Sequence, residues 1–69
     1  MEIATENQIN TTAEAFVAKG HTLDQLADYK TQISFKNYWV INNIAYQCKD
    51  FCDAYWRAVD AKGANSFEL

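Results

Sequence analysis

Two glycines and no proline in 69 residues constrain this chain more than any other feature. Tight turns are built mainly from residues that accept positive φ or arrive with φ preset. A hairpin-rich sheet needs several such turns. A chain offering only Gly20 and Gly63 is therefore expected to form a few long helices. Each glycine follows a lysine, Lys19 and Lys62. That order suits a helix end, where a cation favours the last turn and glycine takes the left-handed position after it. The length allows one domain, which buries only about 60% of its unfolded surface. With 49% hydrophobic, 14% aromatic and 22% charged residues, the chain can still build a core and avoid disorder. The expected fold is all-α, a small three-helix domain with a long C-terminal helix, spanning 1–69.

The first helix is expected over about 6–19. Ile9, Ala13, Phe16 and Val17 share one helical face. Thr5 with Gln8 and Thr11 with Glu14 both read as capping boxes. The earlier start is preferred, because only it places Ile9 on the face. The second helix is expected over 22–32, opened by Thr22 with Gln25 and by Asp24 in the first turn. The third is expected over 34–62. Ile41, Ile44, Cys48, Phe51, Tyr55 and Ala58 step by three and four along it. Gly63 ends it, and 64–69 is read as a loose tail. The stretch Ile33–Ile41 is strand-like in composition. A lone strand leaves its backbone unpaired, and no second convincing strand is visible. The helical reading is therefore extended back to Ser34. A strand there would need two copies of the chain to pair.

The net charge of −3 and a pI near 4.8 argue against direct nucleic-acid binding, which needs a basic face. The excess of acid lies before Phe35, while the remainder is balanced. The first residues lack the basic and apolar regions of a signal peptide. The longest apolar run, Tyr38-Trp39-Val40-Ile41, is far too short to span a membrane. The expected location is the cytoplasm, with no membrane partner.

No catalytic, cofactor-binding or metal site is expected. His21 is the only histidine and falls in the turn between two expected helices. Catalysis would need partners that nothing nearby supplies. Cys48 and Cys52 lie four apart inside an apolar stripe, which suits small buried hydrophobes better than zinc ligands in a turn. Phosphate-binding loops and metalloprotease or nucleophile motifs are missing. A weak helix-turn-helix can be drawn around 22–42. Lys30, Gln32, Lys36 and Asn37 would then be its DNA contacts, making the chain a small transcriptional regulator.

The aromatic residues are the informative signal. Tyr38, Phe51, Tyr55 and Trp56 fit the core arc of the long helix. Phe35, Trp39 and Tyr46 fall within about 40° of one another on its opposite side, at about 100° per residue. Asn42, Asn43, Asp50, Asp53 and Arg57 surround them. An aromatic centre with a polar rim is the composition of a protein-binding hot spot. The leading expectation is a non-enzymatic module that docks on a larger protein or nucleic-acid-handling assembly and modulates it. An inhibitor encoded by a phage or mobile element fits by analogy. The cluster is covered either by the first helix of the same chain or by another chain, and in the second case a homodimer is the simplest partner.

Overall fold

A computed structural model describes residues 1–67 of the chain, with side chains as far as Lys62. The order of elements is β1 (Glu2–Ile3), α1 (Glu6–Lys19), a 3₁₀ helix (Leu23–Tyr29), β2 (Lys30–Ile33), β3 (Lys36–Ile41), β4 (Ile44–Gln47) and α2 (Cys48–Phe67). The four strands form one mixed sheet in the order β1-β4-β3-β2. Strands β2, β3 and β4 make an antiparallel meander, and β1 lies parallel to β4. The all-α, three-helix expectation is thus overturned.

The expected first helix is present over the residues expected, and its ends show why. The Thr5 hydroxyl accepts from the Gln8 amide at 3.1 Å, and the Gln8 side chain accepts from the Thr5 amide at 2.8 Å. At the other end Gly20 sits at φ 78, and its N–H reaches the Phe16 and Val17 carbonyls. Open space surrounds the position where a Cβ would lie on Gly20, so the left-handed backbone alone favours glycine there.

The expected second helix shrinks to a 3₁₀ segment, and the long third helix loses its first fourteen residues to the meander. Two turns make this possible. Ser34 and Phe35 adopt φ 50 and 67, and Asn42 and Asn43 adopt φ 51 and 68. Positive φ at both central residues of a two-residue loop is the mark of the type I′ turn, whose twist matches paired strands. Glycine is the usual solution there, but this chain makes the turns without it. The strand-like composition of Ile33–Ile41 is satisfied within one molecule, because β2 and β4 flank β3. Pairing of two copies is not needed. Beyond Gly63, α2 is described as far as Phe67, so the expected helix end at Lys62 is also corrected. The rest of the expected loose tail, residues 68–69, lies outside the described residues.

Both helices pack on one side of the sheet and against each other. Ile9, Ala13 and Val17 of α1 meet Phe51, Ala54 and Tyr55 of α2, with Tyr46 and Leu26 completing the core. Phe51 is fully buried. Phe16, Trp39 and Tyr46 approach it edge-on, with ring centroids 5.5 to 5.6 Å away. Such pairs contribute about 0.5–1.5 kcal/mol each beyond their buried area. Hydroxyls fasten the layers at the margin. Tyr55 donates to the His21 carbonyl at 2.8 Å, and Thr12 donates to the Tyr46 hydroxyl at 3.3 Å.

Candidate protein-binding surface

Side chains alternate across a strand, so the registers assign each residue of the meander to a face. Trp39 stands opposite Tyr46, and Ile41 opposite Ile44. All four belong to or pack against the core beneath the helices. Their neighbours face the other way. Ile3, Ala45 and Val40 form one row across three strands, followed by Gln47, Tyr38 and Thr31, and then by Lys36 beside Ile33. Apart from Ala45, none of these outward residues is buried. An antiparallel sheet with one solvated face is normally polar there. This one presents Ile3, Ile33, Tyr38 and Val40.

The eight residues expected to form one protein-binding patch do not lie together. Their grouping assumed a single helix through 34–62, and the meander breaks that phase. Trp39 and Tyr46 do adjoin, but on the inner face: Tyr46 is buried, and Trp39 is half-buried against Phe51. Asn42 and Asn43 make the second turn. Asp50, Asp53 and Arg57 are exposed on α2, where the Arg57 Nε–H reaches the Asp53 carbonyl at 3.4 Å. Tyr38 faces outward instead of into the core, and Trp56 is half-exposed, with Tyr55 packed edge-on at 5.2 Å. Only Phe35 remains as an exposed aromatic of the expected trio, at 96% exposure.

Phe35 occupies the second position of the first turn, at φ 67. A bulky side chain there is a backbone outlier, costing about 1–2 kcal/mol relative to an ordinary conformation. It gains nothing back from burial. Unfavourable backbone and an exposed aromatic at one residue direct attention to function, where such strain collects. Sequence reasoning missed the outward residues Ile3, Ile33, Lys36, Tyr38 and Val40. The signal that could have found them is Asn42-Asn43 between the apolar runs 38–41 and 44–46. Asparagine is the non-glycine residue best suited to left-handed backbone.

The remaining candidates offer little chemistry. His21 is exposed in the loop after α1, its Nδ1 lying 3.0 Å from the Gln25 side-chain oxygen. Cys48 and Cys52 are half-buried free thiols. Burial pushes the Cys48 thiol up, opposed by the Lys30 ammonium and reinforced by Cys52. A raised thiol holds less nucleophilic thiolate at neutral pH. Among the described residues, no group of three or more His, Cys, Asp or Glu side chains is placed to hold a metal. An open groove of about 710 Å³ runs between α1 and α2, lined by Val17, Ala18, Ala54, Ala58 and Ala61, with Glu14, Arg57 and Lys62 among its polar residues. Among the described residues it contains no nucleophile beside a base. Residues 22–42 form a 3₁₀ segment and a hairpin, so the helix-turn-helix drawn through them is not formed. None of the described helices is long and apolar enough to cross a membrane.

No protein-family model, curated protein or solved structure matches the chain. The inhibitory, phage-borne and homodimeric readings are set aside, because no observation supports them.

Proposed function

We propose that the chain is a non-enzymatic protein-interaction module that docks on a larger protein or assembly through the tip and outer face of the β2–β3 hairpin. The observation that carries this reading is Phe35, 96% exposed on strained left-handed backbone. Folding alone favours glycine or asparagine at that position. The adjoining outward residues Ile33, Tyr38 and Val40 supply an apolar floor, and Lys36 supplies a polar margin, the usual anatomy of a binding patch. The free thiols of Cys48 and Cys52 fit a module working in a reducing compartment, the cytoplasm by expectation.

The test is affinity capture with wild-type and Phe35→Gly baits. The variant relieves the backbone and removes the anchor, so it should fold at least as well and lose the captured partner. Hot-spot aromatics contribute about 2 kcal/mol or more to binding. A Phe35→Gly bait retaining every wild-type partner at full strength would eliminate the reading.

A further inference from the structure

We infer that the free edge of β2 takes an extended, acidic segment of the partner as a fifth strand. This rests on the docking reading above and specifies its mode. In the sheet order β1-β4-β3-β2, the strand Lys30–Ile33 has a neighbour on one side only. The two-residue turn sets which groups are free. Ile33 and Lys36 flank the turn as a mutually hydrogen-bonded pair, and Thr31 with Tyr38 is the next such pair. Gln32 lies between them, so its N–H and C=O both point away from β3. The Lys30 carbonyl points the same way, while its N–H is held by the Ala27 carbonyl. This is the template that an added strand requires.

Beyond its shortness and Lys30, the edge carries little of the protection usual for edge strands. It has no proline, its register to β3 is unbroken from Lys30 to Ile33, and no described strand covers it. Exposed aromatics bracket it, Tyr29 at 53% and Phe35 at 96%. Main-chain bonds give such complexes affinity, and flanking side chains give specificity. Charge selects among occupants. From residue 29 to residue 47 the chain has Lys30 and Lys36 and no acidic residue, although the whole molecule is acidic. A second copy paired on this edge would bring a second Lys30, and a second hairpin of the same charge, to the seam, which is unfavourable. An extended segment with Asp or Glu beside Lys30 is attracted instead.

The experiment selects binders from a displayed library of random twelve-residue peptides on the full chain. Selected peptides should alternate acidic with apolar or aromatic residues, and should shift the backbone amide resonances of Thr31–Ile33. Gln32→Pro removes the outward N–H without removing a bond to β3, as proline on an edge permits. It should weaken selected peptides by about tenfold, the size of one lost hydrogen bond with its steric penalty. Lys30→Glu should weaken them by about fivefold or more, because it reverses the charge carried by the edge strand itself. N-methylation along a selected peptide should abolish binding at every second position, a readout that needs no variant to fold. Peptides that are basic or helical, that shift the α1–α2 groove instead, or that tolerate methylation everywhere would overturn the proposal, as would a library yielding no binder. A dimer dissolved by Gln32→Pro would overturn it in favour of a second copy. If Phe35→Gly loses a captured partner while Gln32→Pro keeps it, docking stands and strand addition fails.

Discussion

The two turns of the meander have nearly the same backbone and opposite chemistry. Asn42-Asn43 and Ser34-Phe35 differ by no more than 1° in φ at matching positions. The first uses the residue that best tolerates that geometry without being glycine. The second places a phenylalanine there, almost fully in solvent. The rest of β3 is anchored, because Trp39 and Ile41 pack on the core. Stability thus accounts for one turn and for the base of the hairpin, but not for its tip.

The largest effect expected in testing that contrast is at the anchored base. Phe51→Ala removes the ring on which Phe16, Trp39 and Tyr46 converge, and should cost about 3–5 kcal/mol in urea unfolding. Much of a domain this marginal would then be unfolded. A cost under about 1 kcal/mol would mean that the inner face does not anchor the sheet.

At the turns the two substitutions should differ in size. Phe35→Gly should stabilise the fold by about 1 kcal/mol, because a disfavoured left-handed residue becomes a permitted one. Asn43→Gly should change stability by less than about 0.5 kcal/mol, since asparagine already tolerates the site. Equal gains at both turns would erase the distinction on which the functional reading of Phe35 depends.

Gly20→Ala provides a reference for left-handed strain without crowding, because nothing lies within 4 Å of the added Cβ. It should cost about 1 kcal/mol. A neutral result would show that this backbone relaxes easily, and the strain argument at Phe35 would weaken with it.

The smallest effect concerns Cys48, beside Lys30 at the base of the hairpin. Burial raises this thiol, so the folded state holds its proton more tightly than the unfolded state. As pH rises past the ordinary thiol value of about 8.5, the unfolded chain loses that proton first, and stability falls. Cys48→Ser should remove this component of the alkaline slope in a series of urea melts. Should the slope be unchanged, the seam between β4 and α2 is more open than the structure places it.

The legibility of the sequence varies along the chain for a physical reason. Helix hydrogen bonds close within four residues, so Thr5, Gln8, Lys19 and Gly20 carry the boundaries of α1 in plain view. The core side of α2 was legible for the same reason, through Phe51, Tyr55 and Ala58. At Ile41 and Ile44 the same reasoning failed. Residues flanking a two-residue turn are three apart and share a face, which is also what three-residue spacing produces on a helix. The turn therefore imitated one step of a helical stripe and joined β4 to α2 in the reading. Phe35, Trp39 and Tyr46 were then grouped by a helical phase that does not exist. Local spacing was enough for one helix with both ends, the inner side of another, and the presence of an aromatic core. That 30–47 is a sheet, that Trp39 and Tyr46 point inward, and that Phe35 is left outside follow from long-range pairing. Strand pairing is settled by partners distant along the chain, and no local spacing records them.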